Sequence, residues 1–234
     1  MSLTVSGAVA LLKFSKREFL QQFRNEGLLY MNPMAYFQRV DSNMARADTF
    51  EGTTWIYQPK DIGKLTFDAR GLGCRKLHAN PAELAKPVLI GLSKTAACNI
   101  YCMFAVSKPV DSELVSGENL QFGDSFVTVF NTREFLSRVV AASKDAGFNY
   151  LKAGPVEYYD GEKYSGETGR FRKRSMFAYQ NEYRIVVEPG VDTARKLIVG
   201  SLRDITSEVL PLSEVNQILD FSTKSAQRAG LTFA

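Results

Sequence analysis

The segment Asn99–Val106 places the strongest constraint on the fold, because almost every residue after Asn99 is apolar. A strand covered on one face alternates apolar and polar side chains, whereas a strand covered on both faces is a continuous apolar run. We therefore expect this segment to be an inner strand of a packed sheet. A chain of 234 residues with 45% hydrophobic content can supply the layers that cover such a sheet within one domain.

Patterns typical of helices lie on both sides of this strand. Ser15 has the spacing of a capping box and Gly27 supplies a left-handed stop, so a helix is predicted between them. Asn131 is the predicted N-cap of a second helix, which Gly147 closes. No repeat or linker divides the chain, so the sequence predicts a single mixed α+β domain over residues 1–234.

Three cysteines (Cys74, Cys98 and Cys102) and one histidine (His78) limit the chemistry. An odd cysteine count without a basic-then-apolar export segment is typical of reduced thiols, so we expect a cytoplasmic protein. A single histidine argues against a Ser-His or Cys-His nucleophile and against a zinc site, and no metal is predicted. The apolar runs are too short to span a membrane. The net charge of +4 permits a polyanionic partner without requiring one.

The best candidate for chemistry is a long strand predicted over residues 177–187. Alternation places its aromatic and aliphatic residues on a core face and Gln180, Glu182 and Arg184 on the other, about 6.6 to 7 Å apart. Two interpretations stay open. The polar row is either the wet face of an edge strand or the lining of a groove, where an amide and a carboxylate can grip adjacent atoms of one substrate.

The triplet Gln180-Asn181-Glu182 resembles the Gln/Glu-x-Glu element of ADP-ribosyltransferases, which split nicotinamide from NAD and pass ADP-ribose to an acceptor. The layout of residues 8–187 also resembles a widespread group of bacterial proteins of unknown function. The matching elements are Lys13-Phe14, the apolar segment 28–37, the acidic aromatic loop 48–51, and Lys173 ahead of Phe177 to Ile185. The resemblance implies a split or strongly bent central sheet with flanking helices, as in ADP-ribosyltransferases.

The resemblance also implies roles for single residues. Glu182 would bond the 2′-hydroxyl of the nicotinamide ribose and support its oxocarbenium-like centre, and Gln180 would position the acceptor. The family holds NAD with an Arg or His on an early strand, where this chain has Lys13; Arg46 is the other candidate. A lysine offers a point charge without the planar fork of arginine.

Three further residues are assigned to NAD on the same basis. Tyr30, or alternatively Tyr36, would stack on the nicotinamide ring, Ser107 would brace the site, and Arg184 completes the polar row. The basic run 170–174 has two interpretations: a solvated loop end, or a patch in which Arg172 and Lys173 contact the phosphates of NAD or of an RNA or DNA acceptor. In the second interpretation, residues 161–169 would form a mobile flap.

These features predict an NAD-dependent mono-ADP-ribosyltransferase that modifies nucleic acid or protein, of the bacterial toxin or phage-defence kind. An antitoxin or other inhibitory partner stays open. One alternative is a non-catalytic nucleic-acid-binding module, based on the basic run. Another is a hydrolase that uses Asp48, Glu51 and Glu182 as a carboxylate cluster around a divalent metal.

Overall fold

A computed structural model describes residues 2–3, 10–39, 50–68, 76–91, 98–106 and 115–218. These residues form a mixed α+β structure with several sheets and few helices, in agreement with the predicted α+β class. The longest helix has 14 residues, and no helix in the described ranges is long and apolar enough to cross a bilayer.

The helices are α1 (Arg17–Glu26), α2 (Met34–Arg39) and α3 (Thr132–Asp145). The strands are β1 (Ser2–Leu3), β2 (Ala10–Ser15), β3 (Leu28–Pro33), β4 (Thr53–Tyr57), β5 (Leu65–Asp68), β6 (Lys76–Ala79), β7 (Val88–Gly91), β8 (Asn99–Val106), β9 (Ser125–Val129), β10 (Tyr150–Pro155), β11 (Glu157–Tyr159), β12 (Gly166–Glu167), β13 (Arg172–Arg174), β14 (Glu182–Glu188), β15 (Arg195–Ile198) and β16 (Leu210–Pro211). Two 3-10 helices, Gly117–Phe122 and Ser175–Gln180, border the site described below.

The main sheet divides at β8. Its principal order is β1-β10-β14-β8-β2-β9-β16, and β8 pairs along one edge with β14. The other edge of β8 is shared, because its last three residues pair with β2 while Asn99 and Ile100 pair with β3. The β3 strand also pairs with β15. Two branches of the sheet therefore begin at β8, one formed by β2, β9 and β16 and the other by β3 and β15. Between them, residues 101–103 of β8 have no second neighbouring strand among the described residues.

Both faces of β8 are buried, as its apolar run predicts. On one face, Tyr101, Met103 and Ala105 belong to the largest apolar cluster, which includes buried residues of α1 and α3. On the other face, Phe104 and Ile100 belong to two separate smaller clusters. The second face is therefore not filled by one continuous core, and polar groups occupy part of it.

The helix ends only partly follow the sequence. The capping box predicted at Ser15 does not form, because Ser15 pairs with Ser125 as the last residue of β2. Lys16 is the N-cap of α1 instead and makes no side-chain capping bond. Gly27 does end α1 in the left-handed conformation, and the side chain of Asn131 caps α3 as predicted.

Candidate functional site

The division of the sheet opens a cleft. It is lined at its centre by β8 and β14, along the first branch by a wall of β2 and the 3-10 helix Gly117–Phe122, and along the second by a wall of β3, α2 and β15; residues of α1 also line it. The cleft contains a cavity of ≈ 970 Å³. This volume is at the upper end of the range found for small-molecule sites, so the cleft can hold a ligand of cofactor size.

The strand that carries Glu182 is shorter than predicted. Residues Ser175–Gln180 form a 3-10 helix, and Asn181 has a φ of 35°, so β14 begins only at Glu182. Asparagine tolerates the left-handed region better than most residues. The backbone N–H of Ala105 donates to the Asn181 carbonyl at 2.7 Å and fixes this bend. Gln180 is therefore not a strand residue.

From Glu182 onward, the side chains of β14 alternate between the two faces as predicted. Tyr183, Ile185 and Val187 enter the largest apolar cluster, and Glu182 and Arg184 point to the opposite face. However, β14 pairs with β10 on one side and β8 on the other. The edge-strand interpretation is wrong, because Glu182 and Arg184 are only 6% and 1% exposed.

Glu182 and Arg184 belong to a buried ring of four charges, which also contains Glu51 and Lys173. The Nε of Arg184 donates to Glu182 Oε1 at 2.7 Å, and its Nη1 and Nη2 donate to the two oxygens of Glu51 at 2.7 and 2.9 Å. Lys173 Nζ lies 3.2 Å from Glu182 Oε2 and 4.0 Å from Glu51 Oε2. Two carboxylates thus face two cations.

Lys173 also brings Gln180 to this charge ring. Its Nζ donates to Gln180 Oε1 at 2.7 Å and to Glu182 Oε2 at 3.2 Å. The two residues of the Gln-x-Glu element are therefore joined through a lysine of β13 rather than by strand alternation.

Glu182 stays ionised despite its burial. Burial opposes the charged form, but the nearby charges of Arg184 and Lys173 outweigh it and hold the pKa of Glu182 well below its ordinary range. For Lys173, burial favours the neutral amine, but Glu182 and then Glu51 raise its pKa. The cleft therefore presents Glu182 as a fixed negative charge at neutral pH.

This depressed pKa predicts a loss of stability in acid. A carboxylate whose pKa is lower in the folded state stabilises the fold above its unfolded pKa, and this contribution is lost as pH falls through the folded value. We expect the melting temperature to fall as pH drops below about 4.5, the ordinary pKa of a glutamate. The fall should be steeper for the wild type than for Glu182→Gln in thermal denaturation from pH 7 to pH 3. Parallel curves for the two proteins would contradict this role.

Lys13 lies where the two branches separate. Its Nζ donates to the carbonyl of Cys102 at 2.7 Å and lies 4.2 Å from the ring centroid of Tyr101. Cys102 is in the part of β8 that has no second neighbouring strand within the described ranges. Tyr30 is 54% exposed and lines the same cavity.

The structure brings six of the predicted site residues to one cavity: Lys13, Tyr30, Lys173, Gln180, Glu182 and Arg184. Arg46 and Ser107 lie outside the described residues, as does Asp48. Arg172 does not line the cavity.

The basic run 170–174 makes mostly internal contacts. Arg170 and Arg172 form ion pairs with Glu188 and Glu157. Lys173 is 4% exposed, so it cannot contact a macromolecular acceptor. The assignment of Lys173 to the acceptor is corrected to a role inside the charge ring.

The predicted flap is attached to the body of the protein. Gln58 Nε2 donates to the carbonyls of Gly161 and Tyr164 at 2.9 and 3.1 Å, and β12 pairs with β4. None of residues 161–169 lines the cavity. A lid over Glu182 does not come from this segment.

Two lysines of the cleft were not identified from the sequence. Lys16 lies between β2 and α1, and Lys196 is in β15, directly opposite Tyr30 of β3. Lys16 could have been predicted to line the cleft, because it follows Lys13 by only three positions. No sequence pattern identifies Lys196, because its position depends on a pairing between strands more than 160 residues apart.

Of the three carboxylates named for a metal-dependent hydrolase, Asp48 lies outside the described residues, and Glu51 and Glu182 are paired with cations. Glu51 and Glu182 both bind Arg184, and the described residues contain no group of three His, Cys, Asp or Glu side chains that could hold a metal. This arrangement gives no support to the metal-dependent hydrolase.

No protein-family model, no curated protein and no solved structure matches this chain.

Proposed function

We propose that the cleft binds NAD and that the protein is a mono-ADP-ribosyltransferase with Glu182 as its catalytic carboxylate. The observation that carries this proposal is that the ionised Glu182 lines one cavity with Lys13 of an early strand and the exposed ring of Tyr30. These are the three chemical features that NAD requires: a negative charge beside the ribose, a positive charge near the phosphates, and a surface for a ring.

The chemistry of Glu182 follows from its charge. Transfer breaks the bond between the ribose C1′ and the nicotinamide nitrogen, and positive charge develops on the ribose as neutral nicotinamide leaves. A nucleophilic atom of the acceptor then forms a bond to C1′ and loses its proton. A fixed carboxylate beside that charge stabilises the transition state more than the ground state. Arg184 and Lys173 hold the carboxylate in place, so little reorganisation is needed when the bond breaks.

Glu182 also retains the capacity to bind a ribose hydroxyl. A carboxylate has about four lone-pair positions. Arg184 donates at two of them and Lys173 at a third. The Cys102 thiol also bonds to Glu182, and burial raises its pKa so that it stays protonated. A thiol is a weak donor, so a ribose hydroxyl can replace it at small cost.

Further features agree with this proposal. The division of the sheet at β8 is consistent with the split sheet of ADP-ribosyltransferases, and we propose that fold for this chain. Gln180 lies beside Glu182 and would position the acceptor, which we propose to be a nucleic acid or a protein in the cytoplasm. A toxin or phage-defence effector, restrained by an inhibitory partner, is the biological role most consistent with such an activity.

Transfer of label from NAD tests the proposed function. Purified protein is incubated with cell lysate and NAD labelled in its adenylate phosphate, and the macromolecular fraction is then digested with nuclease or protease. We expect label in that fraction, released by one of the two treatments. Absence of label with every lysate fraction would contradict the proposal, and salt-sensitive binding of RNA without NAD consumption would favour the nucleic-acid-binding module.

A further inference from the structure

The cleft carries more positive than negative charge. Within the described part of the chain, its lining contains five cations and two carboxylates, an excess of three positive charges: Lys13, Lys16, Lys173, Arg184 and Lys196 against Glu51 and Glu182. The charge ring pairs both carboxylates with Lys173 and Arg184. The excess charge therefore belongs to the three other lysines. A concave site with an excess of one sign raises the local concentration of ligands of the opposite sign.

Lys16 and Lys196 are the exposed members of this set. Among the described residues, neither lysine has a carboxylate within ion-pair distance, whereas Lys173 and Arg184 are buried beside Glu51 and Glu182. The two lysines come from opposite walls, since Lys16 follows β2 and Lys196 is in β15. An anion in the cleft can therefore be approached from both sides.

Lys196 is also next to an aromatic surface. The register of β3 and β15 pairs Lys196 with Tyr30, so the two side chains lie on the same face of the β3–β15 branch, with Cβ atoms about 5 Å apart. Tyr30 is 54% exposed. The opposite face of this branch carries Leu29 and Leu197, which are buried in the largest apolar cluster. The exposed pair therefore faces the cleft rather than the core.

We propose that Lys16 and Lys196 contact the pyrophosphate of NAD and that Tyr30 stacks on its nicotinamide ring. This inference rests on the proposed function and assigns the part of the cleft that recognises NAD. A phosphate is a suitable partner for two flexible ammonium groups, and an aromatic ring on the same wall as one of them suits a nucleotide, in which one ribose joins the base to the phosphate.

Binding of NAD fragments tests this assignment. The probes are ADP-ribose, which contains the pyrophosphate, and nicotinamide riboside, which contains no phosphate. We expect Lys196→Gln to weaken ADP-ribose binding about tenfold, the cost of one charge-assisted contact, with a smaller salt dependence than in the wild type. Nicotinamide riboside should bind the two proteins equally, as measured by calorimetric titration. Lys16→Gln should behave in the same way.

Lys144→Gln is the matched control, because Lys144 is an exposed lysine in the last turn of α3 and does not line the cleft. It should bind ADP-ribose like the wild type. Equal ADP-ribose affinity for Lys196→Gln and Lys144→Gln would overturn this inference alone, provided that the wild type binds and consumes NAD. A wild type that binds neither NAD nor ADP-ribose would overturn both this inference and the proposed function.

Discussion

Replacement of Arg184 by methionine is expected to lower the free energy of unfolding by about 3–5 kcal/mol, because it removes one partner of a buried ion cluster. Arg184 is 1% exposed, and its guanidinium binds both Glu182 and Glu51. Methionine fills a similar volume but leaves two buried carboxylates with Lys173 as their nearest cation. Domains are stable by only about 5–15 kcal/mol, so this single change should be measurable by urea denaturation or prevent folding.

Arg138→Met is the matched control for this prediction. Arg138 also binds two carboxylates, Glu134 and Asp204, but on the surface of α3, where solvent screens the charges. Its loss should cost at most about 1 kcal/mol. Equal effects of the two substitutions would contradict the role of the buried ring.

A double variant separates charge from packing. Adding Glu51→Gln to Arg184→Met removes one of the unpaired carboxylates, so the double variant should be more stable than Arg184→Met alone. If Arg184 contributes through packing only, the second substitution will not restore stability. Urea denaturation of the three proteins gives the comparison, and it also reports whether Arg184→Met folds at all.

Replacement of Glu182 by glutamine should reduce the turnover of NAD by about 100- to 1000-fold, the usual effect of removing one group that stabilises transition-state charge. Glutamine keeps the shape and one acceptor oxygen but not the negative charge. The KM for NAD should change little, because the proposed phosphate contacts at Lys16 and Lys196 remain. A large rise in KM with unchanged turnover would assign Glu182 to substrate binding instead.

Glu188→Gln is the control for this substitution. Glu188 is the last residue of β14, pairs with Arg170 and does not line the cavity. The control should retain turnover. Because Glu182→Gln also disturbs the charge ring, its thermal stability has to be measured with its activity at a temperature at which it is folded.

Stability alone does not explain a buried ring of four charges. Buried ion pairs often stabilise a fold no better than apolar residues of the same size, because desolvation offsets their attraction. Fixed dipoles and charges, however, reduce the reorganisation that a reaction requires. We infer that the ring holds Glu182 in its reactive position.

Local patterns predicted the inner strands well. The apolar run of β8 is typical of a strand covered on both faces, and it is buried on both. Alternation from Glu182 to Val187 also predicted which side chains enter the core. Both patterns depend on burial of neighbouring residues in one strand, which is information that the local sequence contains.

Features that depend on distant residues were not predictable in the same way. Glu51 reaches Arg184 across 133 positions, and no periodicity relates them. The pairing of β15 with β3, which places Lys196 beside Tyr30, joins strands more than 160 residues apart. Two other errors had different causes. The aromatic alternation before Asn181 concealed a 3-10 helix, which is a local effect, whereas pairing with the distant strand β9 drew Ser15 into β2.

Release of nicotinamide from NAD is the most direct test of Glu182 as a catalytic carboxylate in this cleft. Purified protein is incubated with NAD and lysate, and free nicotinamide is measured over time by chromatography. The wild type and Glu188→Gln should release nicotinamide at similar rates, and Glu182→Gln at no more than about one hundredth of that rate. No release by the wild type, or equal release by folded Glu182→Gln, would contradict the assignment.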